Sequence, residues 1–528
     1  MPYHFSGLTD DPLAYERIES FGGGMDGFTR STLLPPDVSQ LLQNMVVLDN
    51  LEVRTRPGAD NLGAAVVAGA AIQALGYFDS PTVEGVFAII NKQVWRWNGT
   101  TWAEIDASVD LSDAGAMLDM AQGVEKMLMT NVNGEMYVYD GSTFTLTGQG
   151  TTATDPPTGA TILCWHAGRM LASGFPGGTA GKENDAIWVS KLLEFETGDW
   201  DGATRQFRIG NGDGDPIKAL ASLQDFTLAV LKENSVWLCS MDPTNIPANY
   251  SATQAVESLG FGVGCVGKKA WAVYGNDLLF MARDGVYSLR RMQAAAGQFE
   301  LSAPLSQPIQ NYIDRINWTY ASGITAIRYK QYVLFSVPLD SSATNNAVLA
   351  FNGRLGRWVG AWTGWAPSHW TVSRFAGAHR LVFGTPTGFV RQWKDNNSAS
   401  DNDTYLDDGV IIESAVWAKA FLFGEPVNDK DAYHVEMRFS SGSANINVTL
   451  MADNTESKDF TVEAQQVSQT LPIQLPFKLV SPGNITVRKG LRGLPPFNEC
   501  FLKVESSGGW WSLRNITMSA FLNMLQNE

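Results

Sequence analysis

Between residues 70 and 400 one short pattern keeps returning: aromatic, any residue, aromatic, then Asn or Asp, then Gly, with another aromatic shortly after. Trp95-Arg96-Trp97-Asn98-Gly99 is followed by Trp102, and Tyr137-Val138-Tyr139-Asp140-Gly141 by Phe144. Leu349-Ala350-Phe351-Asn352-Gly353, followed by Trp358, is a third copy. Alternation puts the rings on one face of a strand. The Asn/Asp-Gly pair favours a type I′ turn, whose twist suits antiparallel neighbours. Each copy is therefore expected to be a β-hairpin.

Looser relatives fill the gaps at Ile187-Trp188-Val189, Val236-Trp237-Leu238, Val286-Tyr287-Ser288 and Val390-Arg391-Gln392-Trp393. One marker per unit gives Trp97, Tyr139, Trp188, Trp237, Tyr287, Phe351 and Trp393, at intervals of 42, 49, 49, 50, 64 and 42 residues. A four-stranded propeller blade takes about 40–50 residues. The expected fold is therefore all-β, with a β-propeller of about seven blades (six to eight allowed) over residues 61–400. The 64-residue interval leaves room for an insertion around Gln293–Ile316. The rival is an irregular multi-sheet protein whose aromatic spacing is accidental. Composition agrees with many short strands and tight turns: charged residues are 17%, aromatic residues 11%, and glycine is 51 of 528. Disorder, collagen and coiled coil are excluded on the same ground.

Residues 1–60 read as an N-terminal arm. Pro35-Pro36 presets a helical first turn, and Leu41, Leu42 and Met45 share a helical face, so a short helix is expected from Pro36 to Met45. Val46 to Arg54 reads as a hairpin about Asp49-Asn50, ended by Pro57-Gly58. The polar run Lys394 to Thr404 reads as a linker. Beyond it, Val435-x-Met437-x-Phe439 and Ile446-x-Val448-x-Leu450 alternate as half-buried strands do. Pro472, Pro476, Pro482 and Pro495-Pro496 space further short strands. Residues 405–528 are expected to form a C-terminal β-sandwich.

The net charge is −16. Clamping phosphates needs a basic stripe, and the densest basic cluster is only Arg488, Lys489 and Arg492. DNA could still slide past an acidic wall, since like charges oppose adhesion. Met1 to Ser6 has neither the basic nor the apolar part of a secretory signal. Gly63 to Phe78 falls short of the roughly 20 strongly apolar residues of a membrane span. A soluble chain is expected.

No motif carries chemistry. Cys164, Cys239, Cys265 and Cys500 are too far apart for a zinc site and read as buried thiols in a reducing compartment. Gly22-x-Gly24-x-x-Gly27 has dinucleotide-loop spacing without the strand and helix that such a loop needs. Gly177 to Lys182 imitates a phosphate loop, but Pro176 and Glu183 stand at essential positions. Asn211-x-Asp213-x-Asp215 starts like a calcium loop, yet Pro216 and Ser222 break it. His4, His166, His369, His379 and His434 form no paired motif, and there is no GxSxG. The turns at Asn98 and Asp140 lack the leading serine and the spacer of a sialidase Asp box. The chain is read as a non-enzyme with no cofactor, no metal and no catalytic or binding residue.

Three stretches resemble virion proteins of tailed phages. The first runs from Phe21-Gly22-Gly23-Gly24-Met25-Asp26 through Leu34-Pro35-Pro36-Asp37 and Leu42-Gln43-Asn44-Met45-Val46-Val47 to Arg54-Thr55-Arg56-Pro57-Gly58. The second is Phe207 to Leu220 with Leu228 to Lys232 and Val236-Trp237. The third is Tyr405 to Ser414 leading into Phe423 to Lys430. The family they are similar to is the nozzle, or distal tail tubular protein, of short-tailed phages. The resemblance implies a propeller-containing subunit, a homohexameric ring about a DNA channel, and genome retention followed by conduction during ejection. Implied partners are adaptor or portal-side tail proteins, tail fibres, and genomic DNA passing without sequence-specific contact. The implied location is the virion tail, after assembly in the host cytoplasm, with no membrane insertion by this chain. A portal plug that stabilises packaged DNA is one alternative. A glycan-binding or glycan-cleaving propeller is another.

Overall fold

The computed structural model describes residues 13–111, 117–131, 136–146, 154–176, 182–200, 206–223, 226–241, 256–295, 303–374, 377–394, 404–424, 428–441, 444–453, 456–463 and 485–522. It is nearly all β, with 52% strand and 6% helix. From Ile72 onward the chain folds back and forth into small antiparallel sheets. The first contains Ile72–Asp79, Glu84–Ile90, Gln93–Trp97 and Trp102–Glu104, and the second Met120–Gly123, Lys126–Met129, Tyr137–Tyr139 and Phe144–Leu146. The third contains Ile162–His166, Arg169–Ser173, Ala186–Val189 and Gln206–Arg208. Ile217–Ser222, Thr227–Lys232, Ser235–Ser240 and Val256–Phe261 make the fourth. Trp271–Tyr274, Asp277–Ala282 and Gly285–Ser288 form the fifth. The sixth begins with Thr325–Tyr329, Tyr332–Val337, Ala347–Asn352 and Arg357–Thr363. In the last, His369–Ser373, Arg380–Gly384 and Val390–Trp393 take Ala59–Asn61 as their fourth strand.

The first strands of these sheets form a closed series. Ile72–Asp79 lies against Met120–Gly123, which lies against Ile162–His166, which lies against Ile217–Ser222. The Cys265 amide donates to the Lys232 carbonyl at 2.8 Å, tying the fourth sheet to the segment that enters the fifth. Trp271–Tyr274 lies against Thr325–Tyr329, which lies against His369–Ser373, and that strand lies against Ile72–Asp79 again. This is a propeller-like arrangement. Its inner strands are covered on both faces by neighbouring sheets, so Tyr332–Val337 and Ala347–Asn352 are buried at every position.

Each sequence marker from Trp97 to Trp393 sits in the third strand of its sheet. The rings fill the gaps between sheets: Tyr139 of the second sheet meets Phe78 and Phe87 of the first, at centroid distances of 5.4 Å each. Trp237 departs from the pattern, being only half-buried, with its indole N–H donating to Ser235 Oγ at 3.0 Å. The longest marker interval accommodates the helix Leu289–Ala295 and the short helical turns Gln307–Ile309, Gln310–Ile313 and Trp318–Gly323.

The expected type I′ turns are not what closes the hairpins. Trp97 pairs with Trp102 and Tyr139 with Phe144, so each loop has four residues. A type I′ turn needs positive φ at both central residues, whereas Gly99 and Gly141 have it and Asn98 and Asp140 do not. The Asn98 side chain instead accepts from the amides of Thr100 and Thr101 at 2.9 Å each. Asp140 accepts from those of Ser142 and Thr143 at 2.7 Å each. These bonds hold the Asp140 carboxyl well below the usual carboxylate range.

From Leu13 onward the N-terminal strands are built into the sheets rather than forming a separate arm, and residues 36–45 are not a helix. Val38–Ser39, Leu41–Gln43 and Met45–Val47 are short strands. Leu41–Gln43 is inserted between Arg357–Thr363 and Ser414–Trp417, and its backbone groups are spent on those neighbours. Leu42 and Met45 are buried in these strands, so the apolar spacing read as a helical face served strands instead, and tertiary pairing overrode local preference. Met45–Val47 does form a hairpin with Val53–Thr55.

Two larger sheets mix the chain ends. One has the order Ile485–Gly490, Lys430–Ser441, Trp511–Leu522, Val53–Thr55, Met45–Val47, with Leu13–Ile18 also pairing Trp511–Leu522. The other extends the sixth sheet through Leu41–Gln43, Ser414–Trp417, Cys500–Ser506, Ile446–Ala452 and Glu456–Val462. Along Ile446–Ala452 and Cys500–Ser506 the odd positions of each strand are all buried, as alternation required. Among the described residues no helix is long and apolar enough to cross a membrane. The predicted linker lies almost wholly in 395–403, outside the described residues, as do Pro472, Pro476 and Pro482.

Candidate functional site

Two clusters of buried and half-buried polar side chains stand out. The first joins the chain ends. Arg56 is fully buried, directly after the strand Val53–Thr55. Its Nη1 and Nη2 donate to the two Asp407 carboxylate oxygens at 3.1 and 2.6 Å. Nε donates to Asn44 Oδ1 at 3.0 Å, Nη2 also to the Thr363 carbonyl at 2.6 Å, and Nη1 to that of Pro57 at 3.2 Å. These five bonds match the five N–H groups of a guanidinium. The cation also lies over the Trp365 ring, 4.6 Å from its centroid. Asp407 accepts further from the Ala59 amide at 3.0 Å and Trp365 Nε1 at 2.8 Å. Gly58 is required here, because a Cβ at that position would stand 1.9 Å from the Leu406 carbonyl oxygen.

The second cluster gathers where the first strands of several sheets begin. Asp119 directly precedes Met120–Gly123, and Lys268 and Lys269 precede Trp271–Tyr274. Thr325 and His369 open their own strands. Because those strands surround the axis, residues far apart in sequence meet at one mouth of it. Lys269 Nζ lies 2.6 Å from Asp119 Oδ1. Asp119 also accepts from the amides of Met120 at 2.8 Å and Leu163 at 3.0 Å. Lys268 Nζ donates to the Met117 carbonyl and, at 3.2 Å, to that of Thr161. Burial pulls the Lys268 ammonium down to about 8. Burial, reinforced by the two lysines, pushes the His369 imidazole down to about 3. Asp119, Lys269, Thr325 and His369 line a cavity of about 90 Å³. His369 also lines a second one of about 220 Å³, with Gln73, Met117 and Asn345.

The motif-like stretches have structural roles. Asp213 pairs with the fully buried Lys232 at 2.6 Å, and Asp215 accepts from the Asn234 amide at 3.0 Å and Ser235 Oγ at 2.6 Å. Among the described residues no His/Cys/Asp/Glu group could hold a metal ion. Gly24, of the dinucleotide-like spacing, has φ +76° and packs against Trp358. Residues 177–181 and His4 lie outside the described residues, and Lys182 Nζ donates to Thr158 Oγ1 at 2.6 Å. His166 is bonded to Ser222 at 2.9 Å, and His434 to Ser519 at 2.8 Å and Arg488 at 2.9 Å. His379 contributes its carbonyl to Tyr329 Oη at 3.0 Å. All four cysteines are buried, and burial pushes Cys164, Cys265 and Cys500 up to about 12. The axial cluster was missed in the sequence. Its one signal is a polar residue at the start of a first strand, which a repeat aligned on third-strand aromatics does not expose.

No protein-family model matches the chain, and no curated protein matches it. Among solved structures it is similar to the computationally designed Ika8 protein, at 11% identity and a TM-score of 0.37, over 63% of this chain and 99% of that one. It is also similar to Sqt1 of Saccharomyces cerevisiae, at 9% identity and a TM-score of 0.39, over 63% of this chain and 98% of that one. Superpositions this loose carry nothing about function.

Proposed function

We propose that the chain is a structural virion protein of a phage tail, a nozzle subunit that encircles the DNA channel together with copies of itself. In this reading the small sheets are seven blades of a propeller, and residues 405–528, with the N-terminal strands, form a β-sandwich beside it. One observation carries the proposal: residues of the phage-like stretches are spent on architecture. Arg56 and Gly58 of the first stretch meet Leu406 and Asp407 of the third in the buried clasp. In the second, the exposed Asp213 caps the buried Lys232 ammonium. A signature invested in rigidity suits a wall better than a reaction centre.

The axial cavities, about 90 and 220 Å³, are far too small for a duplex whose major groove alone is about 12 Å wide. The channel would therefore run between subunits, in a ring closed by a heterologous contact. A net charge of −16 lets such a wall hold DNA by steric confinement and release it without breaking many phosphate contacts. Adaptor or portal-side proteins and tail fibres would dock on the ring.

The test is a cryo-electron-microscopy map of phage particles whose genome encodes this chain. A symmetric ring of it around the tail channel supports the proposal and gives the copy number. Density at the portal would favour the plug, a peripheral position would favour glycan binding, and absence from the particle would refute a virion role.

A further inference from the structure

Away from the axis, the long sheet that extends the sixth carries a cleft of about 440 Å³, larger than either axial cavity. Register builds its floor. Trp417 lies directly opposite Lys503, and Met451 directly opposite Phe501. Phe501 and Lys503 are two apart on one strand, so all four side chains share one face of the sheet. The other face carries Val416, Leu450, Leu502 and Val504, all buried, whereas the four residues of the floor are half-buried. Two aromatic rings and a thioether are thus left partly open, with Lys503 Nζ 5.0 Å from the Trp417 ring centroid. The wall is the short helical turn Ser31–Leu33 together with Gln40. Backbone bonds fix it in place: the Ala420 amide donates to the Ser31 carbonyl at 3.3 Å, and the Gln40 amide to that of Trp417 at 2.8 Å.

The polar groups of the cleft are mixed in kind. Lys503 is already paired with Glu505 at 2.6 Å. Among the described residues lining the cleft, that leaves one cation without an ion pair, Arg30, and one carboxylate, Glu499. Their charges cancel, so the lining selects neither an anion nor a cation. The guanidinium only donates, the carboxylate only accepts, and the Gln40 amide and the Ser31 and Thr32 hydroxyls do both. A purely apolar ligand would strip water from these groups and replace none of its hydrogen bonds. A pyranose answers both halves of the site. Its C–H faces suit an aromatic floor, and each hydroxyl on its rim both donates and accepts.

We infer that this cleft is a binding site for a neutral saccharide. A pyranose ring would lie on Trp417 and Phe501, with its hydroxyls bonded to Arg30, Gln40 and Glu499. A volume of about 440 Å³ falls within the range of small-molecule sites, about 300–1,000 Å³. The site binds without cleaving, because glycoside hydrolysis takes two carboxylates and Glu499 is the one that lines the cleft among the described residues. The inference rests on these residues alone and is independent of the tail reading, which the particle map decides.

The test is a glycan array of neutral and acidic oligosaccharides probed with the full chain, followed by calorimetric titration with the neutral sugar bound best. Maltotriose and cellotriose are titrated in any case. Saturable binding of a neutral sugar is the expected result, with an affinity that added sodium chloride leaves nearly unchanged, since no net charge is paired. Gln40→Ala removes an amide that has no internal partner among the described residues, so it should melt as wild type does and bind about 2–10-fold more weakly. Trp417→Ala removes the stacking ring and should weaken binding about tenfold or more; should that variant fail to fold, Gln40→Ala decides alone. Three outcomes overturn the inference: no neutral sugar binds on the array or in the calorimeter, wild type and the folded variants bind equally, or acidic sugars are preferred with an affinity that falls steeply with salt.

Discussion

Replacing Arg56 by alanine should weaken the clasp that ties strand Val53–Thr55 to Asn44, Thr363 and Asp407. The guanidinium is wholly buried, and its loss leaves the Asp407 carboxylate, 9% exposed, with only the Ala59 amide and the Trp365 indole as donors among the described residues. Breaking a buried ion pair by deleting one partner costs about 3–5 kcal/mol, mostly the penalty of the charge left behind. At about 2.1 cal/mol/K per residue, the unfolding entropy of a 528-residue chain is about 1.1 kcal/mol/K, so Tm should fall by about 3–5 °C. Scanning calorimetry is the assay. Arg56→Met with Asp407→Leu removes both charges and should cost less than the two single changes together, by at least about 1.5 kcal/mol. Singles that add within about 0.5 kcal/mol, or a Tm change no larger than that of exposed Arg17→Ala, would refute the clasp.

Three further outcomes are expected. The His369 proton affinity is lowered in the fold to about 3 against about 6.5 when unfolded, so the unfolded chain binds more protons between those values. Its contribution to stability is complete above pH 6.5 and drains as pH falls, by at most about 1.4 kcal/mol per pH unit; His369→Gln should flatten the slope of Tm from pH 7 to 4, and an unchanged slope would count against a neutral buried imidazole. Buried Cys164, Cys265 and Cys500 should resist a thiol reagent at pH 8 until denaturant is added, and fast labelling of the native protein would contradict their burial. Trp97→Ala should cost about 3–5 kcal/mol and half-buried Trp237→Ala less than half as much, a ranking that paired melts would confirm or reverse.

What was legible followed from how each residue is used. The aromatic markers were visible because third-strand rings must fill the space between neighbouring sheets, and they land in the same strand each time. The alternation at Ile446–Ala452 was visible because it has one buried and one wetter face. The inner strands are buried on both faces, which erases the period and left Tyr332–Val337 unmarked. The Pro36–Met45 segment misled because Leu42 and Met45 satisfy a helical face and a paired strand equally. The clasp was hidden by distance: Arg56 and Asp407 are 351 positions apart, and nothing local to either announces the other. The axial residues are as scattered, and only the closure of the ring brings them together.

The pairing of Ala59–Asn61 with Val390–Trp393 also fixes the order of events at the ribosome. The early strand is made first, and its partner emerges some 330 residues later, which at about 5–20 residues per second is roughly 17–66 s of translation. Throughout that wait the last sheet does not exist, and the first strand of the ring has a neighbour on one side only. Closure thus waits for the strand Val390–Trp393: a chain cut short before residue 390 would leave a bare strand edge that invites pairing with other chains.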